Sequence, residues 1–363
     1  MSSNALTREK TLNTKSPNKT PLNKTPLNTT TSTTSNKRYA WLLASILLLF
    51  VIMVASLCIG AKPLSIDQLW NVLIGKEHGI AEIIIFEGRL PRTLNGLFVG
   101  MALGTSGALI QAITRNPLAD PGILGVNLGA SLAIAIAIVF LGATQLTEFF
   151  YYAALGAFLA SLLVYFVGSM GGGKVDPLKL TLAGVAIGAV FGGLSSALTL
   201  FNPVAFDQVR FWSVGSLDIR TLSVPLFIAP VVIVGCLLAV AITPALNAFS
   251  LGDSLAAALG SKPARIQVVG LIAITLLCGA ATAAAGPIGF VSLMMPHIAR
   301  WMVGPDQRWI IPFSFILTPI LLLSADIIGR VLITGELRVS IVTAFIGAPI
   351  LIYLVRRKGA TGL

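Results

Sequence analysis

From Tyr39 to Val355 the chain alternates long apolar runs with short polar breaks. The runs fall at residues 39–59, 94–114, 123–143, 150–170, 180–201, 222–243, 265–286, 287–303, 309–328 and 339–355. A helix that crosses a bilayer needs about 20 apolar residues, and most of these runs reach that length. The pattern predicts an all-α integral membrane protein with about ten transmembrane helices in one bundle. The eighth run is short and contains Pro296; the tenth is short and contains Gly347 and Pro349. Broken helices survive in a membrane only where neighbouring protein or a water-filled cavity satisfies the freed backbone groups. Both runs are therefore predicted to be broken helices inside the bundle.

Residues 89–131 show the repeating grammar most clearly. Arg89, Pro91 and Arg92 form a charged rim, and a charge-free run follows from Thr93 to Thr114. A polar, proline-broken loop (Arg115, Asn116, Pro117, Asp120, Pro121) then leads into the next apolar run. Small residues recur at four-residue spacing, at Gly96, Gly100 and Gly104 and again at Gly184, Gly188 and Gly192. Such stripes let helix backbones approach closely. They predict tight packing of many helices without specifying what the bundle does.

Composition agrees with a bilayer as solvent. Of 363 residues, 55% are hydrophobic and 11% charged, against about 25% charged in a soluble domain. Net charge is +11. Residues 1–38 carry seven basic residues against Glu9 and are rich in Thr, Asn, Ser and Pro. Too little apolar surface is present there to offset ordering entropy, so the segment reads as a disordered basic tail, not a secretory signal. The organisation is a tail at 1–38, a transmembrane domain at 39–358 and a short C-terminal tail at 359–363. Basic charge beside membrane spans sets topology, and nucleic-acid binding is set aside. Lys37 and Arg38, Arg115, Lys174 and Lys179, Lys262 and Arg265, Arg300 and Arg308, and Arg356 to Lys358 all fall on one side of a ten-span chain. That places both termini in the cytoplasm. Lys62, Lys76, Arg89, Arg92, Arg210, Arg220, Arg330 and Arg338 lie on the other side and need a separate reason.

Candidate chemistry is sparse. GSMGGGKV (Gly168 to Val175) is one residue short of a phosphate-binding loop, with Val175 where Ser or Thr should hold magnesium, and it follows an apolar span instead of a strand. It reads as a turn, so ATP hydrolysis is not expected on this chain. His78 and His297 read as structural, and Cys58, Cys236 and Cys278 as small buried hydrophobes. No metal or cofactor is implied, and no nucleophile, base and orienting group form a catalytic set. Asp326 sits near the end of the ninth run, four residues before Arg330. An intramembrane carboxylate is a functional candidate by default, but this spacing favours a side-chain pair over a proton relay. Residues 245–260, ALNAFSLGDSLAAALG, form a loop in which Asp253 can start a short helix and Gly260 can end it. Its small apolar face suits either a soluble partner's groove or an ordinary interfacial turn.

Several segments, in order, resemble the FecCD/BtuC-type permease subunits of binding-protein-dependent ABC importers for ferric siderophores, haem and vitamin B12. They are RLPRTL (Arg89 to Leu94), QAITRNPLADPGILGVNLGAS (Gln111 to Ser131), GDSLAAALG (Gly252 to Gly260), GPIGFVSLMMPHIARWMVG (Gly286 to Gly304), ADIIGR (Ala325 to Arg330) and TAFIGAPILIYLVRR (Thr343 to Arg357). The resemblance implies ten spans, a second permease subunit (identical or different), two cytoplasmic ATP-binding subunits and an extracytoplasmic substrate-binding protein. It implies that Gly252, Asp253, Ala256, Leu259 and Gly260 form the coupling helix that meets the ATPase. It further implies that Arg89, Arg92 and Arg330 face outward and dock the binding protein, which would account for three of the unexplained basic residues. The expected activity is ATP-driven import across the bacterial cytoplasmic membrane, with a ferric siderophore as first cargo and haem or cobalamin as alternatives. An ion-coupled secondary transporter is the rival; broken spans suit it and the scarcity of mid-span acids does not. The coupling segment departs from many relatives in carrying the single acid Asp253 before Ser and an alanine triplet.

Overall fold

Ten long or moderately long helices coincide with the ten apolar runs in a computed structural model, which describes residues 31–170, 177–333 and 335–357. They are α1 (Thr31–Cys58), α4 (Leu90–Thr114), α5 (Val126–Leu141), α6 (Leu146–Ser169), α7 (Pro177–Phe201), α9 (Ser223–Ala241), α12 (Pro263–Ala285), α13 (Val291–Val303), α14 (Gln307–Leu332) and α15 (Val339–Arg357). Short helices fill the connections: α2 (Ile66–Leu73), α3 (Ile80–Ile83), α8 (Pro203–Ser213), α10 (Thr243–Phe249) and α11 (Asp253–Ala258). No strand occurs among the described residues. Among the described residues, seven helices are long and apolar enough to cross a membrane by themselves, and α5 and α15 are shorter apolar helices. The chain is a multi-pass membrane protein.

The differences from the sequence pattern have physical causes. α1 begins at Thr31, eight residues inside the segment read as a disordered tail; residues 1–30, most of GSMGGGKV and residues 358–363 lie outside the described residues. The rim at Arg89 and Arg92 lies within continuous helix, because α3 runs through a π-turn (Ile84–Arg89) directly into α4. The eighth run is helical only from Val291 and does not break at Pro296. α13 is 13 residues long, about 20 Å, against a hydrocarbon core of about 30 Å. It starts deep in the bundle, and a side chain at Gly107 in α4 would strike the Ser292 backbone. Pro296 lies inside this helix and Pro349 inside α15 without ending either. The interruption comes earlier, in the non-helical link Gly286–Phe290. There Gly286 (φ 71) and Phe290 (φ 67) both turn left-handed. The missing side chain of Gly347 makes room for Phe290, 2.6 Å from where a Cβ would stand.

The core lies around α4, α12 and α14. From Ala102 to Ile113 every residue of α4 is buried. α14 packs antiparallel against it along the first glycine stripe. A Cβ at Gly96 would fall 2.6 Å from Leu323 Cδ2, one at Gly100 2.6 Å from the Pro319 backbone, and one at Gly104 against Thr318 and the Ser314 carbonyl. The second stripe is less uniform. Gly184 abuts the Ile123 carbonyl and Gly188 meets Leu128 Cδ1 at 3.0 Å, whereas Gly192 stands 3.7 Å from Leu128, ordinary contact that does not require glycine.

Candidate functional site

Polar side chains gather at the two ends of the α4–α14 pair. At one end Asp326 of α14 is fully buried, and both of its oxygens are bonded. Arg92 donates from Nε to each oxygen at 3.1 Å and from Nη2 to Oδ1 at 2.8 Å. Arg330 donates to Oδ2 at 2.5 Å. The i,i+4 pair is therefore one of two ion pairs in a triad, and a carboxylate held by two guanidiniums is a structural counter-ion. Arg330 also donates to the Ser56 and Ile59 carbonyls at 2.9 and 3.2 Å and to Ser56 Oγ at 2.7 Å, so α1 is tied in. Ser56 and Thr93 hydroxyls share a 2.8 Å bond. Arg89 serves α1 differently, donating to the Leu57 and Cys58 carbonyls at 2.8 and 2.7 Å and to the Lys62 carbonyl. The Leu57 and Cys58 carbonyls lie at the C-terminal end of α1, where a helix leaves carbonyls without intrahelical partners.

The three arginines for which the resemblance implies an outward-facing docking role are mostly buried within this chain. Arg89, Arg92 and Arg330 are 7%, 8% and 5% exposed. Most of their guanidinium donors are consumed by the rim itself, because a buried cation requires internal partners; among the described residues Arg330 Nε finds none. One donor still reaches the surface. Arg92 Nη1 pairs at 2.8 Å with Glu336, which is exposed, and lies 3.7 Å from Asp218. These groups border a cavity of about 750 Å³ whose wall includes Trp212, Arg220 and Arg338. Glu336 and Asp218 carry no sequence signal for this role, since nothing local ties them to Arg92 more than 100 residues away.

At the opposite end lies the loop segment 243–260, which folds as two short helices. α11 starts at Asp253, with Gly252 (φ 105) preceding it and no side chain capping it. Asp253 is not a cap: it pairs with Arg115. Gly260 follows the helix at φ 80. Leu255 and Leu259 are 55% and 65% exposed, while Ala256 is buried against the protein. Ala256 thus supports the helix from beneath, and the leucines form its free face. Arg115 also donates from Nε to the Phe249 carbonyl at 3.0 Å, with its guanidinium 4.0 Å from the Phe249 ring centroid. On the other side Asn247 donates to Asp306 at 2.6 Å and accepts from the Gln307 backbone at 2.8 Å.

Between the ends, the link that follows α4 is held against α13. Ser292 donates to Asp120 Oδ2 at 2.5 Å, and Thr282 donates to Asn127 at 3.0 Å. His297 Nε2 lies 2.8 Å from the Pro117 carbonyl; a carbonyl only accepts, so Nε2 carries the proton. His78 lies far away, 3.1 Å from Glu82. The described residues contain no group of three or more His, Cys, Asp or Glu arranged to hold a metal.

Comparison with known proteins agrees with this architecture. Residues 47–357 match the FecCD transport family. The ferric enterobactin transport system permease protein FepD of Escherichia coli is 54% identical over 87% of this chain and 95% of its own length. The hemin transport system permease protein HmuU of Yersinia pestis is 34% identical over 86% and 94%. A solved metal-chelate type ABC transporter in an inward-facing conformation superposes with a TM-score of 0.77 at 30% identity, covering 88% of this chain and 99% of that one.

Proposed function

The chain belongs to the FecCD transport family, and from that premise we propose that it is the membrane permease of an ATP-driven ABC importer carrying a ferric siderophore. The observation that carries the cargo class is the 54% identity to a ferric enterobactin permease over nearly its whole length, against 33–37% for the citrate, hydroxamate and hemin permeases. Ferric enterobactin is therefore the first cargo to test. The permease itself is not catalytic. ATP is hydrolysed by two separate ATP-binding subunits, and a second permease copy, identical or paralogous, completes the path.

The membrane is the bacterial cytoplasmic membrane, with both termini inside. Supporting this, Arg115, Lys262, Arg265 and Arg308 cluster at the Asp253 end, as the positive-inside rule requires of a cytoplasmic face. The ATP-binding subunit docks there on the exposed leucine face of α11, with Gly252 and Gly260 setting the helix limits, Asp253 anchoring it and Ala256 packing beneath. The extracytoplasmic binding protein docks at the Arg92 end. Arg89, Arg92 and Arg330 serve that contact by building the rim, and Glu336, Asp218, Arg220 and Arg338 offer the accessible charges. Exposed charges of this kind steer encounter and fix register more than they add affinity.

The test is uptake in cells lacking the gene, with radio-iron on a panel of siderophores and labelled haem and cobalamin alongside. Loss for ferric enterobactin alone is expected. Loss for haem alone would replace the cargo, and undiminished uptake of all of them would refute the importer reading.

A further inference from the structure

The helix pair that carries the Arg92–Asp326–Arg330 triad at one end also carries polar fastenings of the 243–260 segment at the other. Arg115, at the C-terminal end of α4, holds α11 through Asp253 and α10 through the Phe249 carbonyl and ring. Asn247 on α10 holds the N-terminus of α14 through a reciprocal pair with Asp306 and Gln307. α4 and α14 are themselves in backbone contact at Gly100 and Pro319 and joined at the far end by the buried triad. The α4–α14 pair is thus pinned at both ends and closely packed between them, over about 37 Å of helix.

We propose that Arg115 and Asn247 are positioning residues that fasten the coupling segment to the α4–α14 pair, so that this pair carries displacement between the ATPase face and the docking rim. Arg115 suits the task because three distinct interactions converge on one planar guanidinium: an ion pair, a hydrogen bond to a carbonyl and a ring contact. It is bound in a left-handed backbone (φ 51) just past the helix, which aims the side chain back over α10. The Arg92 end responds because a packed seam shifts as a unit and does not deform continuously. The inference rests on the importer reading above, since it presumes an ATPase at the α11 face.

The experiment uses the complete importer, with both permeases, ATPase subunits and binding protein, in lipid nanodiscs. The readout is the ratio of ATP hydrolysis with and without loaded binding protein, alongside complex size and melting temperature. In the wild type the ratio is expected to exceed one. For Arg115→Ala the ratio is expected to fall to near one while the complex stays assembled, because signal transfer is lost and docking is not. Asn247→Ala is expected to do the same from the other helix. The swap Arg115→Asp with Asp253→Arg should restore part of the ratio, since aspartate tolerates the left-handed backbone. A wild-type ratio in Arg115→Ala overturns the inference and leaves the importer reading standing. If Arg115→Ala does not assemble, an assembled charge-swap complex without stimulation overturns it, and one with stimulation supports it. Absence of stimulation in the wild type overturns both readings.

Discussion

Replacing Asp326 by Asn probes the buried triad most directly. Asn keeps the shape of the side chain and removes its charge. Asp326 is fully buried, and Arg92 and Arg330 bring two cations to it at 2.8 and 2.5 Å. Arg92 keeps Glu336, but Arg330 keeps only the Ser56 and Ile59 acceptors. Breaking a buried ion pair from one side costs about 3–5 kcal/mol, because the remaining charge is left uncompensated. For soluble domains of 150–250 residues, each kcal/mol shifts the melting temperature by about 2–4 °C, which scales to a fall of roughly 6–20 °C. The assay is thermal unfolding of the detergent-purified permease. Asp218→Asn is the internal control: it also faces Arg92, but at 3.7 Å and half exposed, so its loss should cost below about 1 kcal/mol. A third variant separates charge from volume. Asp326→Leu with Arg92→Met and Arg330→Met removes all three charges and should recover much of the loss, since apolar replacement of a whole buried cluster is often neutral or better. Asp326→Asn melting within about 2 °C of wild type would refute the argument that the triad holds this end together.

Gly100→Ala should lower yield and melting temperature, since its Cβ would meet the Pro319 backbone at 2.6 Å; overpacking of this kind costs about 1–3 kcal/mol. Gly193→Ala, with nothing within 4 Å, should be silent in the same thermal assay, and equal behaviour of the two would contradict the seam. Arg89→Glu should destabilise by more than about 3 kcal/mol, because a carboxylate cannot donate to the three carbonyls and is itself buried unpaired; a wild-type melt would show that this end of α1 is held by something else. Leu255→Asp with Leu259→Asp should abolish co-purification of the ATP-binding subunit while leaving the permease's melting temperature unchanged, because both side chains are exposed in the free chain. Retained co-purification would move the ATPase contact away from α11.

The apolar pattern by itself determined most of the fold. Ten runs became ten helices because, in lipid, a helix satisfies its backbone polar groups within its own segment, and that requirement is written in local composition. The i,i+4 relation of Asp326 and Arg330 was legible for the same reason: one helix turn sets it. The four-residue glycine stripes were equally local, but only packing revealed that Gly100 meets a proline backbone while Gly192 has room. Burial of Arg89, Arg92 and Arg330 was not legible. A guanidinium beside a span reads as a rim charge until the carbonyls of α1 and the carboxylate of α14, each distant in sequence, come within hydrogen-bond reach. The same holds for Arg115 with Asp253 and for Asn247 with Asp306, and for α13, whose start is displaced inward by a link that reads as apolar as any span. Sequence decides where a chain can be helical in a membrane. Which buried polar groups find each other depends on how those helices are arranged in space, and only the tertiary structure decides that.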